Sequence, residues 1–429
     1  MKLQPLRRRP GFRPLGARAG KGPIRVKEVA MQTEHNNAFA ACRGKLLICC
    51  GVAFMCYFAS YMRLPVAPLY ARSLGADASQ VGAVNAAFFI TAGLLSFPLG
   101  LVSDLWGRKR MAAAGLTIIA AATFLLCFSR TPLQMALIHL FLGIGLAALG
   151  PPTMSLVADI SPPSHLGRSY GWYTTALYGG MSLGPAAGGF VAKAMGFPST
   201  FFIAACIVLA TLGMVVFFLP RPVHVRAAGG KSLSRAAREL LHNRPLVACL
   251  AATLGGCFAL GAFITFIPLH AQELGLDMGW IGFIFSAQGV SNALSRIPFG
   301  RLSDRVERRE GLIVIGGVIL SFSMAGFAIA REPTLFILFA LTLGVGMGLA
   351  FTSIGALIAE VTAEEFRGFA MGGYNTCIYV GMMLSSAIMG PVIEKAGFPG
   401  GFLCSAVVNL FIIGVFYFLV MPQTAEAQA

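Results

Sequence analysis

Gly100-Leu-Val-Ser-Asp104-Leu-Trp-Gly107-Arg108-Lys109-Arg110 closes one long apolar run, and Gly300-Arg-Leu-Ser-Asp304-Arg305-Val-Glu307-Arg308-Arg309 closes another two hundred residues later. Other matches keep nearly the same offset. At 200 residues, Pro68-Leu69 answers Pro268-Leu269, Leu74-Gly75 answers Leu274-Gly275, and Gly82 answers Gly282. At 201, Gly143 answers Gly344, Asp159 answers Glu360, Gly167 answers Gly368, and Tyr173 and Tyr178 answer Tyr374 and Tyr379. The Gly196-Phe197-Pro198 turn likewise answers Gly397-Phe398-Pro399. Chance coincidences would not hold one offset over so long a stretch, so the chain contains a duplication.

What is duplicated follows from composition. Of 429 residues, 56% are hydrophobic and only 12% are charged, about half the charge of a soluble domain. That excess of apolar surface argues against a soluble enzyme, a nucleic-acid-binding domain or a secreted disulfide scaffold. It predicts a polytopic helical membrane protein. The ten cysteines lie mostly inside apolar runs and form no CxxC or Cys/His pattern, which predicts packing roles and neither metal nor disulfide, and no cofactor is expected.

Apolar runs of membrane-spanning length are read at 46–71, 80–101, 111–129, 133–157, 169–192, 199–219, 246–270, 280–301, 311–330, 334–357, 370–391 and 400–421. The predicted organisation is a basic, disordered N-terminal segment (1–45), a six-helix bundle (46–220), a linker (221–245), a second six-helix bundle (246–421) and a short tail (422–429). The fold class is therefore all-α, with twelve transmembrane helices in two pseudo-symmetric bundles. An even number of crossings per half inserts both halves in the same orientation, as parallel repeats about an axis along the membrane normal.

The net charge of +16 fits this plan. With the N-terminus in the cytoplasm, 26 of the 33 Lys and Arg fall in cytoplasmic segments and five in external loops. Only Arg63 and Arg296 fall inside spans. The positive-inside rule thus predicts that both termini are cytoplasmic, and the expected location is the cell's inner (plasma) membrane. Residues 1–30 alone carry a net +8, which suits anionic lipid headgroups better than nucleic acid. Met31 is an alternative start, and an acid-poor transit peptide is a second reading of this leader.

The loop motif after span 2 and its copy after span 8 resemble the loop 2–3 signature of the major facilitator superfamily, and the resemblance runs from about residue 46 through both halves. It implies a transporter that rocks about a central cavity, and a likeness to the family's drug/proton antiporter branch. It also implies a cytoplasmic latch of Gly100, Asp104, Gly107, Arg108, Gly300, Asp304 and Arg305, in which each Asp caps a helix of the other half, where a helix N-terminus favours an anion. Leu105 and Glu307 depart from the pattern, where a basic residue and Gly are usual.

Span 5 carries Gly171, Gly180, Gly184, Pro185, Gly188 and Gly189 in the register of the family's export signature. Small residues at this spacing pack helices closely in any membrane protein. The resemblance adds that the kinked contact seals one half against the other and that transport runs outward. In span 4, His139 stands where export families usually have Arg. It reads either as a proton relay or as a packed, hydrogen-bonded imidazole.

A cation within a span marks a functional position. Arg63, at the outer part of span 1, either attracts an anionic substrate group or snorkels outward, whereas Arg296 is expected to snorkel or to join the latch. The spans expected to line the cavity carry no Asp or Glu near their middles. A neutral, zwitterionic or anionic substrate is therefore favoured over a strongly cationic one. Further cavity candidates are Asn85, Tyr173, Tyr178, Gln288, Asn292, Tyr374, Asn375 and Tyr379, with helix-to-helix hydrogen bonding as the alternative role.

The function expected is secondary export of a small organic molecule, with protons as the coupling ion, by a monomer whose partners are its substrate and membrane lipid. Import or facilitated passage of a sugar or organic anion is the alternative, and a non-transporting sensor is a further one. No GxxxxGK[ST] loop or convergent nucleophile cluster supports ATP hydrolysis or another enzyme activity.

Overall fold

The computed structural model describes residues 23–162, 165–219, 242–306, 308–363 and 366–426, with the side chains of 23–42, Asp104 and 421–426 also outside the description. The leader before residue 23, nearly all of the linker and Glu307 lie outside the described residues.

The described chain is helical throughout. The N-half comprises α1 (Pro23–Met62), α2 (Val66–Ser73), α3 (Ala78–Trp106), α4 (Arg108–Leu126), α5 (Pro132–Ile160), α6 (Leu166–Met195) and α7 (Phe197–Phe218). The C-half comprises α8 (Arg244–Glu273), α9 (Met278–Arg305), α10 (Arg309–Ile329), α11 (Pro333–Val361) and α12 (Arg367–Glu426). Helix α12 bends at Gly397, whose φ of 71° is non-helical, and so contains two crossings. Among the described residues, 9 segments meet the length and hydropathy of a span, one of them holding both arms of α12. Helices α6 and α9 are as long but more polar, because they carry Gly, Ser, Tyr and Asn among their apolar residues. With these two, the twelve crossings are complete.

The apolar cores were legible, while the helices run a few residues past most of them at each end, toward the headgroups. The N-terminal difference is larger. Helix α1 starts at Pro23, so 23–45, expected to be disordered, belong to a helix that opens with Pro at a position where its missing N–H costs nothing. At the other end α12 continues into the expected tail, to Glu426.

Polar residues stop and start the helices. The Asp77 carboxylate accepts from the Gln80 N–H at 2.7 Å, and the Gln80 side chain accepts from the Asp77 N–H at 3.3 Å, a reciprocal cap for α3. Asp277 does the same work for α9, accepting from Gly279 and Trp280 at 2.8 and 3.1 Å. Thr131 caps α5 and Asn243 caps α8. The duplication recurs in the backbone. Gly196 and Gly397 turn the chain with φ of 84° and 71°, a region that L side chains seldom enter.

Within the N-half, α1 packs on α6 and α7, α3 on α5, and α4 on α5 and α7; within the C-half, α8 packs on α12, α9 on α11, and α10 on α11 and α12. The halves meet along two related seams, α3 against α12 and α6 against α9. Twelve crossings put both chain ends on one face, here called proximal, and the opposite face is distal.

Candidate functional site

The distal side of both seams is shut at the level of the backbone. A Cβ on Gly82 of α3 would overlap the carbonyl oxygen of Ser386 on α12, and one on Gly189 of α6 would overlap that of Met278 at the head of α9. Beside these approaches, Asn85 donates to Thr265 at 3.1 Å, and Thr265 shares a hydrogen bond with Ser386 at 2.9 Å. Three polar links cross at the rim. Lys193 pairs with Asp277 at 2.8 Å, Arg72 with Glu273 at 3.6 Å, and Glu394 accepts from the Ser79 N–H at 2.8 Å. The last recreates, at the start of α3, the attraction of a helix N-terminus for an anion.

The hydrogen bond from Lys193, aided by the N–H groups of α9, holds the Asp277 carboxyl below the ordinary carboxylate range. Its stabilisation of the closed rim is therefore full above the ordinary value of about 3.9 and disappears as pH falls through the depressed one. Asp277→Asn preserves the helix cap and removes only the charge. An exposed pair contributes up to about 1 kcal/mol, so the closed-to-open ratio should fall by up to about fivefold. Spin labels at Arg130 and Glu332, on distal turns of opposite halves, would report this; an unchanged distance distribution would deny the pair a gating role.

Below the sealed rim lies a cavity of about 420 Å³ between the halves. Eight of the ten side chains singled out as substrate or proton candidates line it: Arg63, Asn85, His139, Tyr178, Asn292, Tyr374, Asn375 and Tyr379. Gln288 lines a smaller adjoining recess and donates to Met347 Sδ at 3.1 Å. Tyr173 is placed elsewhere. It is buried between α5 and α6 and hydrogen-bonded to Thr153 at 3.0 Å, so its repetition as Tyr374 reflects ancestry and not a shared lining role. The cavity wall also includes Tyr57, Ser60 and Tyr61; the four-residue spacing of the two tyrosines on one face of α1 was the available signal.

Arg63 occupies a break in the first crossing. Helix α1 ends at Met62 and α2 begins at Val66, while Val66 and Ala67 donate to the Arg63 carbonyl at 3.1 and 2.8 Å. Pro65 interrupts the ladder here. The counterpart α8 continues unbroken through Pro268. The Arg63 side chain is only 7% exposed, its Nε has no hydrogen-bond partner, and its guanidinium sits 5.9 Å from the centre of the Phe88 ring. No carboxylate among the described residues lies within ion-pair distance of it, and none lines the cavity. Such a cation is expensive to hold in a membrane, and the group that offsets it is not supplied by the described residues.

His139 is 3% exposed, with Nδ1 2.8 Å from the Met135 carbonyl oxygen. That contact assigns the proton to Nδ1 and leaves Nε2 as an acceptor. The hydrogen-bonded imidazole of the sequence reading is present, and its ring also lines the cavity.

Arg296 departs from expectation. It neither snorkels nor joins a latch, but lines the cavity with its guanidinium 4.5 Å from the centre of the Tyr178 ring and Nε 3.3 Å from Asn292 Oδ1. Stacking on a tyrosine of the other half competes successfully with reaching the headgroups.

The proximal motifs are tied within their own halves. Arg108 pairs with Asp159 and donates to the Ser155 carbonyl at 2.9 Å, while Arg309 pairs with Glu360 at 2.9 Å and donates to the Ser303 carbonyl at 3.0 Å. Asp304 lies 3.9 Å from Arg309, and Arg305 is exposed. Gly107, with φ of 103°, makes the turn from α3 to α4. Gly100 and Gly300 leave ordinary or near-ordinary space around them. The small residues of α6 divide by direction. Gly180, Gly184 and Gly188 press against the α1 backbone of the same half, whereas Gly189 and Pro185 meet α9 of the other; Gly171 faces open space.

The sequence matches a family model described as Major Facilitator Superfamily over residues 49–281 and 270–429. The chain belongs to the major facilitator superfamily. It is a multi-pass membrane protein of a transporter family, which is not an enzyme class. Among similar proteins, an uncharacterized MFS-type transporter of Methanocaldococcus jannaschii is 25% identical over 83% of this chain and 92% of its own length. A multi-drug resistance efflux pump PmrA homolog of Lactococcus lactis is 26% identical over 79% of this chain and 86% of its own. The crystal structure of a point mutant of the nucleoside transporter NupG matches with a TM-score of 0.70 and 18% identity, covering 88% of this chain and all of that one, a likeness of fold.

Proposed function

We propose that this superfamily member exports a small organic molecule bearing an anionic group, by alternating access through the cavity between its halves. The observation that carries this is Arg63, buried, uncompensated and placed at a helix break, the setting in which transporters commonly hold charged groups. The tyrosine and phenylalanine walls suit an apolar or aromatic body. The α6 signature and the similarity to a protein named as a multi-drug efflux pump support the outward direction.

In this reading the distal face is external, both chain ends are cytoplasmic, the protein works as a monomer in the plasma membrane, and the inner side is latched through Asp104 and Asp304 when the cavity opens outward. Protons are the proposed coupling ion, with His139 as the titratable group in the cavity. An inside-negative potential also favours anion exit, by about 2.3 kcal/mol per charge per 100 mV. The missing carboxylate gives some support to a second reading, uncoupled passage of an organic anion. Imposing a pH gradient on loaded proteoliposomes separates the two, because proton movement opposite to the solute excludes simple facilitation.

A thermal-shift screen of the purified protein would identify solutes that bind. Arg63→Gln should then weaken an anionic ligand about a hundredfold, in line with the loss of one partner from a buried charge pair. A neutral analogue of the same body should change less than about threefold on the same reasoning. Equal losses for both would remove the charge-recognition role of Arg63.

A further inference from the structure

The cavity holds two cations and not one. Arg63 comes from the N-half and Arg296 from the C-half, both guanidinium groups face the same space, and no Asp or Glu lines it. Neither has a carboxylate within ion-pair distance among the described residues. Their depths differ. Arg63 precedes the distal end of α2 by ten residues, and Arg296 follows the distal start of α9 by eighteen. At about 1.5 Å per residue these are roughly 15 and 27 Å below the distal face. Arg63 sits over the Phe88 ring of α3 and Arg296 over the Tyr178 ring of α6. These are two positive centres at different depths of a cavity whose lining is rich in aromatic side chains.

We propose that the site takes an organic dianion whose two acidic groups flank an apolar or aromatic body, one seated on Arg63 and the other on Arg296. This rests on the anionic reading of Arg63 and adds a second subsite to it. Two guanidinium groups that face one cavity without a carboxylate repel each other, and Arg63, being buried, also lacks the hydration it would have in water. A monoanion leaves one of them uncompensated, whereas a two-headed anion neutralises both. Because the cations belong to different halves, such a solute also bridges the moving parts, and Tyr178, stacked under Arg296 from the opposite half, positions the second cation while the cavity is empty. Arg is suited to this role because its planar fork grips a carboxylate, sulfonate or phosphate with two parallel hydrogen bonds.

The test uses purified full-length protein and a matched aromatic series: naphthalene-2,6-dicarboxylate and -disulfonate, naphthalene-2-carboxylate and -sulfonate, and 2-naphthol. Affinities are measured by calorimetry in wild type, Arg63→Gln, Arg296→Gln and Arg296→Lys, with a thermal melt of each variant to establish that it is folded. In wild type the better diacid should bind at least tenfold more tightly than its monoacid. Arg296→Gln should erase that advantage and leave the monoacid within threefold of wild type, and Arg296→Lys should restore part of it. A merely structural role for Arg296, as a pin on Tyr178, would weaken monoacid, diacid and naphthol alike and overturn the second subsite. Equal binding of diacid and monoacid by wild type, with both weakened by Arg63→Gln, would also overturn it while preserving the single-site reading. Failure of every acid to bind wild type, or indifference of all acids to Arg63→Gln, would overturn the anionic reading itself, and the second subsite with it.

Discussion

Gly82→Val should leave the protein folded and reduce transport by up to about a hundredfold, by preventing the distal face from closing. The side chain would project into the Ser386 carbonyl across the seam. The obstacle is backbone in a helix, so no rotamer change relieves it. Overpacking of this kind costs about 1–3 kcal/mol, and here the cost falls on one state only, because separating α3 from α12 removes the contact altogether. A penalty confined to one of two states shifts their ratio by its full Boltzmann factor. Spin labels at Arg130 and Glu332 should shift to the wide distance, and solute flux should fall with the closed population. Normal flux from a protein that still shows the short distance would refute the role assigned to this seam. Gly390, whose Cβ would crowd Ser79 of α3 at 2.6 Å, should behave in the same way more mildly.

The repeat made most of the fold readable, because duplicated turns and apolar runs are local signals. Gly82 and Gly282 were visible as partners, and they prove equivalent in place: each lies where its helix touches the opposite half, Gly282 against the Pro185 carbonyl. The ion pairs Arg108–Asp159 and Arg309–Glu360 were half visible, since both members recur at one offset, but spacing alone does not say whether partners share a half. Arg296 was misread because distance from a helix end predicts snorkelling only when lipid surrounds that end. A tyrosine on the other half, over a hundred residues away in sequence, decided the matter. Tyr173 failed for the related reason that Thr153 on α5 offered its hydroxyl a nearer partner. Arg63 was legible because a cation in an apolar run is conspicuous, whereas the break that presents it depends on Pro65, whose counterpart in the second half is Thr265 within the unbroken α8. Local pattern thus gave the helices and the charge, and only tertiary packing distinguished seam from lining.

The stripe on α6 predicts a different outcome from Gly82. Gly180, Gly184 and Gly188 rest on the carbonyls of Phe54, Phe58 and Met62, at successive turns of α1. Both helices belong to the N-half, so this contact persists whichever face is open, and a substitution there penalises every folded state alike. Gly188→Val should therefore abolish recovery of folded protein, and Gly188→Ala should lower the melting temperature by several degrees, given a cost of about 1–3 kcal/mol. Met62 is the last residue of α1 before the break, so pushing it away also displaces Arg63. Whatever folded Gly188→Ala is recovered should bind an anionic ligand more weakly, while Gly180→Ala, two turns farther from the break, should lose stability with little change in affinity. Melting curves and binding isotherms on the two variants separate these effects. A Gly188→Ala protein with wild-type stability and affinity would mean that α1 and α6 are not held at the distance that fixes Arg63 in the cavity.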